Sequence, residues 1–317
     1  MIPSNLFSHY QLRGVQLKNR IMVSPMWQYV GEQGNPTDWH LMNLGRLAEG
    51  GAGLVFQEGT TIERRGCGTL GDLGIWDELF VPGLTRLAST IRSNGAVPGV
   101  QLMHAGRKAR QKPPFEGRGP LERSPKITDW DEWDVIAPSA IAVSEHAPVP
   151  REMQGADIVA VQQAWVAAAR RAAQAGYDVL NIHGAHGYLV HQFPSEISNR
   201  RTDSYGGSFN NRVRFLIEAV EGIRTVWPDA KPLMLRLSVV DHGWPIEESV
   251  RLVNELKLAG VDMIDCSSGG LTDRHFRLAR GRHMAIRYRW RLIFVARPES
   301  RPPRLDLSCT PLRRRKS

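Results

Sequence analysis

The feature that most constrains this chain is a unit repeated about six times: a short apolar run rich in β-branched residues, a polar loop, then a longer helical stretch. The runs are Ile21–Val23, Gly53–Glu58, Val97–Met103, Val179–Ile182, Leu233–Leu237 and Val261–Asp265. Helical patterns fall between them at Trp39–Glu49, Leu79–Asn94, Asp157–Ala175, Asn211–Val226 and Glu247–Leu258. Most of these close on Gly or Pro, as at Gly50, Gly95, Gly176, Pro228 and Gly260. Such alternation predicts a parallel sheet covered by helices, with strands buried on both faces. An open nucleotide-binding sheet carries a Gly-rich turn after its first strand. Here that strand runs into Ser24-Pro25-Met26-Trp27-Gln28-Tyr29, with no GxGxxG. The expected fold is therefore α/β, a TIM (β/α)8 barrel. With about six recognisable units it is an incomplete one. Polar residues should gather just past the strands, at the C-terminal rim where barrel active sites form. Gln57-Glu58, Gln101 with His104, Arg107 and Lys108, His183 with His186 and Tyr188, and Asp241 all fall there.

One segment breaks the rhythm. Lys112 to Pro150 holds seven of the twenty prolines, with Trp130 and Trp133, and is not expected to be helical. It reads either as a surface loop that only packs or as an excursion covering an active site.

Composition narrows the classes further. At 42% hydrophobic and 23% charged, the 317 residues are too apolar for a disordered chain. No apolar run approaches the roughly 18 residues of a membrane span, and Met1 to Arg20 has no secretory apolar core. Three widely spaced cysteines, Cys67, Cys266 and Cys309, suit a reducing cytoplasm and argue against a disulfide framework or a CxxC zinc site. The formal charge of +9 would point to a polyanion partner, but it is unevenly placed. Residues 272–317 hold thirteen Arg, one Lys and three acids, a net of +11. Residues 1–271 hold 27 basic and 29 acidic residues, a net of −2. The expected division is a barrel body over 1–271 and an Arg-rich, irregular tail over 272–317. The tail either binds polyanions or is the product of a GC-rich gene read out of frame. Its composition favours the second, and a nucleic-acid partner is disfavoured.

Chemistry concentrates in Asn181-Ile-His183-Gly-Ala-His186-Gly-Tyr188. Two histidines and a tyrosine directly after a strand can converge on one substrate atom. A metal site lacks a third ligand at a convincing spacing. Satisfied core histidines are the plainer alternative. The functional reading is a pair of imidazole N–H donors on a carbonyl or nitro oxygen, with the phenol supplying a proton. Arg236, between Leu235 and Leu237, places a cation in a buried strand, as a structural ion pair or beneath an electron-rich ring. Gln101, between Val100 and Leu102, offers an amide able to read a planar heterocycle.

With these motifs in view, the chain resembles the old yellow enzyme family of FMN-dependent ene-reductases, in its short bacterial branch. The matching stretches occur in family order. They include Leu17–Met26, Gly74-Ile-Trp76, Gln101–Lys108, Ala137–Ile141, His183–Tyr188, Ser198–Gly207, Asn211-Arg212, Leu235–Ser238 and Asp262–Gly269. The resemblance covers about residues 5–271. It implies that Ser24, Pro25, Met26 and Trp27 lie along the flavin, that Gly59 lets the backbone approach the ring, and that Gln101 and Arg236 serve its pyrimidine edge. It further implies that His183 and His186 hold the substrate oxygen, Tyr188 donates a proton to the α-carbon, and Tyr29 lines the substrate pocket. NADPH or NADH would be the reductant, and activated C=C bonds or nitro compounds the acceptors. A homo-oligomer would be one altered at its C-terminus.

Two departures bear on function. Trp27 stands where the branch often carries Cys, which changes pocket volume and redox tuning. After Gly270 the units that bind the FMN phosphate are not matched, and Leu292–Arg297 looks like the last strand only by coincidence. Six strands cannot close an eight-stranded barrel. The first and sixth would keep open edges, and FMN would be held weakly or not at all, so the alternative to an active FMN-dependent reductase is an inactive remnant of its family.

Overall fold

The computed structural model describes residues 5–125, 127–272 and the backbone of Phe294–Val295. Six parallel strands lie side by side in chain order: β1 Met22–Val23, β2 Leu54–Thr61, β3 Val97–Met103, β4 Val179–Gly184, β5 Leu233–Ser238 and β6 Met263–Ser267. Five helices alternate with them: α1 Asp38–Glu49, α2 Val81–Ser93, α3 Gly155–Gln174, α4 Phe209–Arg224 and α5 Ile246–Ala259. This is the succession of a (β/α)8 barrel carried through six strands. Local chemistry sets the ends. The Ser208 side chain accepts the Asn211 N–H at the start of α4, and Gly260, at φ 107°, closes α5.

Strand geometry then sorts the side chains. Successive residues point to opposite faces. On one face Val100, Leu102, Leu180, Ile182, Leu235, Leu237 and Ile264 join the α2, α3 and α4 side chains in the main core. On the other, the interior of the barrel changes character along its axis. Leu54, Phe56, Val179, Met234 and Met263 form an apolar cluster at the strands' N-terminal end. Further along, register pairs Gln101 with Asn181, His183 with Arg236, and Arg236 with Asp265. A period-two pattern on every strand thus becomes an apolar floor beneath a polar rim.

A hairpin of Tyr10–Leu12 and Val15–Leu17, turning at Arg13-Gly14, seals the floor by inserting Leu12 and Leu17 into that cluster. The sequence reading assigned no element here, because three-residue strands show no usable periodicity.

The 112–150 excursion is packed. Trp133 is fully buried with Cys67 and Ile127, and Ile136–Ala137 pairs in parallel with Arg151–Glu152. The outer edge of β6 is not left open as expected: Phe294–Val295 pairs with it in antiparallel fashion. The remaining expectations for the Arg-rich tail, polyanion binding included, lie outside the described residues. Among the described residues no helix is long and apolar enough to cross a membrane.

Candidate active site

At the C-terminal rim lies a cavity of about 230 Å³, lined by Pro25, Trp27, Tyr29, Gly59, Gln101, His183, His186, Tyr188 and Arg236. Every residue of that lining was singled out in the sequence. The two other candidates, Ser24 and Met26, face elsewhere. They line a separate, water-sized space with His40 and Glu58, and Met26 is 56% exposed. Several polar residues expected at the rim are structural instead. Gln57 is fully buried against Thr60 and Tyr177. Glu58 accepts the Gln28 N–H at 2.8 Å and faces His40. His104 faces Glu63, and Asp241 accepts the backbone N–H groups of His242 and Leu271.

The floor of the cavity is built from strand residues. Gln101 Nε2 donates to Asn181 Oδ1 at 3.0 Å, leaving the buried Asn181 Nδ2 without a partner among the described residues. An orphaned buried donor costs about 1–3 kcal/mol. Arg236 resolves its own burial with Nη1 donating to Pro25 O at 3.1 Å and Nε 3.5 Å from Asp265 Oδ2. The two readings of Arg236, ion pair and cation beneath a ring, are thus compatible in one residue. A bulge between Gln57 and Gly59 turns the end of β2. A Cβ at Gly59 would sit 2.6 Å from Met103 Sδ and 2.9 Å from Trp27 Nε1, so a larger residue would have to displace those side chains. Trp27 Nε1 donates to Gly59 O at 3.0 Å, seating the indole on that bulge.

The other wall is the β4 loop. The His183 ring centroid lies 4.7 Å from Tyr188 and 5.1 Å from His186, all edge-on. His183 Nδ1 accepts the Ala185 N–H at 3.3 Å, so in the neutral ring Nε2 carries the proton. Burial, helped by His186, Arg236, His191 and Lys108, holds His183 well below its ordinary value, and it is neutral at pH 7. His186 Nε2 lies 2.6 Å from Ser267 Oγ, on β6. Its backbone is left-handed at φ 59°, an uncommon state for a side-chain-bearing residue. Lys108 Nζ secures that turn, donating to His186 O at 2.9 Å and to Gly270 O. Burial also pushes the Tyr188 phenol far above its ordinary value, with Tyr29 and Asp72 adding to the shift and Arg118 and Arg236 opposing it. Asn181, Asp265, Ser267 and the role of Lys108 were missed in the sequence. The available signal was strand parity: each of the first three shares the interior face with a residue that was found.

The decisive observation is that a buried cation, a strand amide, two imidazoles and a phenol meet at one end of a parallel barrel. Comparison with known proteins agrees over nearly the whole chain. The profile matching residues 5–297 is that of the NADH:flavin oxidoreductase / NADH oxidase family. The chain belongs to this family.

The family match extends through Leu292–Arg297, the stretch that the motif reading set aside as coincidence. An NADPH dehydrogenase of Geobacillus sp. (strain WCH70) is 41% identical over 281 residues, covering 87% of this chain and 76% of that one. Among solved structures, an old yellow enzyme from Pichia sp. aligns with TM-score 0.70 and 26% identity over 81% of this chain and 68% of that one. A 2-naphthoyl-CoA reductase aligns with TM-score 0.74 and 29% identity over 84% of this chain, which spans 40% of that longer one. The chain is an oxidoreductase that uses FMN, with NAD(P)H as reductant. The residues present fit the flavin ring. Gln101 and Arg236 give an amide and a cation for its polar edge, Asn181 Nδ2, next to Gln101, is a donor without a partner among the described residues, and Gly59 lines the same cavity. The expectation that the phosphate anchor is lost falls on residues outside those described.

Proposed function

We propose that this flavoenzyme reduces activated C=C bonds, as in α,β-unsaturated carbonyl compounds, and nitro compounds by the same oxygen-binding device. The observation that carries the reading is the juxtaposition of His183, His186 and Tyr188 on one wall, with Gln101 and Arg236 beneath. FMN, when bound, supplies the hydride that reaches the β-carbon. His183, neutral and protonated at Nε2, donates to the acceptor oxygen. If Ser267 Oγ–H donates to His186 Nε2, the proton of His186 sits on Nδ1, giving a second donor to that oxygen. Both donors gain strength as negative charge builds there, so they act chiefly in the transition state. Tyr188, kept protonated by its burial, delivers the proton to the α-carbon. Tyr29 and Trp27, with rings 5.5 Å apart, bound the space left for the acceptor. The 112–150 excursion roofs this mouth. Its Lys112, Pro114, Arg118 and Val143 line a second cavity that shares Trp27, Tyr29 and Tyr188 with the first.

The test is steady-state NADPH oxidation by the FMN-saturated chain with 2-cyclohexenone, followed by product analysis. Cyclohexanone formed in step with NADPH consumed is the expected outcome. Consumption that the enone does not stimulate, with no saturated product, overturns the reading.

A further inference from the structure

Outside the reacting cavity lies a larger one, of about 480 Å³. The two are contiguous in their walls: Trp27, Tyr29 and Tyr188 belong to both. The charge of the outer chamber is one-sided. Lys108, Lys112 and Arg118 line it, and among its described lining residues there is no carboxylate. The three cations are held differently. Lys108 is fixed through the carbonyl oxygens of His186 and Gly270. Lys112 ion-pairs with Glu122 at 3.0 Å, on a carboxylate that is 85% exposed and competes weakly. Arg118 makes no ion pair among the described residues. It sits at φ 59° between Gly117 and Gly119, both also left-handed, and its backbone N–H closes the turn on Pro113 O at 3.3 Å. That turn holds Arg118 at the chamber wall in spite of an uncommon backbone state.

A fixed cluster of like charges in a concave wall is unfavourable by itself and is relieved by an anion. We propose that the outer chamber is an anion subsite for ligands whose flat, reacting end occupies the inner cavity. The ligand class is a planar head joined to a carboxylate or phosphate, and Arg118 and Lys112 are its specificity-determining residues. Two sources share that chemistry: an electron acceptor bearing an acid group, and the diphosphate of the dinucleotide reductant. The inference rests on the proposed function for the identity of the inner ligand, but not for the charge preference itself.

The experiment measures binding by calorimetry to the FMN-saturated full chain, so it does not depend on turnover. The probes are 4-carboxycinnamaldehyde, its methyl ester and NADP⁺. In the parent the carboxylate binds about tenfold more tightly than the ester at low salt, and the gap narrows as salt is added. In the double variant Arg118→Gln/Lys112→Gln the affinity for one or both anions falls about tenfold while the ester binds as before. Arg118→Lys restores part of the loss. A fall confined to the carboxylate identifies the acceptor as the source, and a fall confined to NADP⁺ identifies the reductant. A double variant that binds both anions as tightly as the parent overturns the subsite. Failure of the enone assay with the charge preference intact overturns the proposed function alone.

Discussion

The two ends of the barrel interior are built on the same strands and obey different rules. At the floor, Leu54, Phe56, Val179, Met234 and Met263 close on Leu12 and Leu17 of the hairpin, and every buried member of the cluster is apolar. At the rim, a few residues along those strands, Asn181 Nδ2 is buried without a partner among the described residues, His186 and Tyr29 are left-handed, and His183 and Tyr188 are both held far from their ordinary pKa values. The floor stabilises the fold, and the rim draws on that stability to hold groups that would relax if unsupported. The contrast teaches that a substitution's position along the barrel axis, more than its burial, decides whether stability or chemistry is lost.

The largest effect that could break this comparison lies at the floor. Phe56→Ala should cost about 3–5 kcal/mol of unfolding free energy in urea, with the remaining folded fraction binding ligands at the rim as before. A matching loss of rim affinity in the folded fraction would mean that the ends are not separable. Next is the rim itself. Tyr188→Phe should slow enone reduction about 100-fold while leaving NADPH-dependent reduction of an artificial dye, which needs no proton at carbon, unchanged. Equal losses with enone and dye would make Tyr188 structural.

A smaller effect sharpens the comparison. Ser267→Ala should lower kcat for the enone about fivefold, the value of one hydrogen bond of about 1 kcal/mol. The ¹⁵N shifts of the His186 ring should move away from the Nδ1–H tautomer, a readout that mere destabilisation would not produce. An unchanged tautomer signature would remove Ser267 from the device.

A pH dependence tests the wall between the two chambers and solvent. Asp72 accepts Gly68 N–H and Thr69 Oγ–H behind the outer chamber, and burial raises it to about 7. Its folded pKa lies above the unfolded value, so the folded state binds the proton more tightly. Its contribution to stability is greatest at low pH, declines as pH rises from about 4 to 7, and is flat above that. Asp72→Asn should abolish this decline, and urea midpoints of parent and variant should diverge across that window. Parallel pH curves would exclude Asp72 as the titrating group.

The architecture was legible because periodicity is local. Val97–Met103 and Leu233–Leu237 announce buried strands, and the glycines at 176 and 260 announce helix ends, whatever lies around them. The meeting of His183, His186 and Tyr188 was legible too, since they fall within six positions at the end of one strand. Less legible were residues whose importance comes from a neighbour far away in the chain. Ser267 matters because it is 2.6 Å from His186, and Lys108 because its ammonium reaches Gly270 O and His186 O. Ser24 and Met26 share a motif with Pro25 and Trp27, yet alternation of the chain turns them toward His40 instead.

The amino-acid order alone therefore determined the repeating units, the barrel they imply and the chemical types available at each strand end, because these follow from hydrophobic period and residue chemistry. Which of those polar groups meet, and that three cations of the excursion and its neighbouring loop share one chamber, were decided only by the tertiary structure. The reason is range: hydrogen bonds and charges act over a few ångströms, and only closure of the sheet brings residues separated by 80 or more positions within that distance.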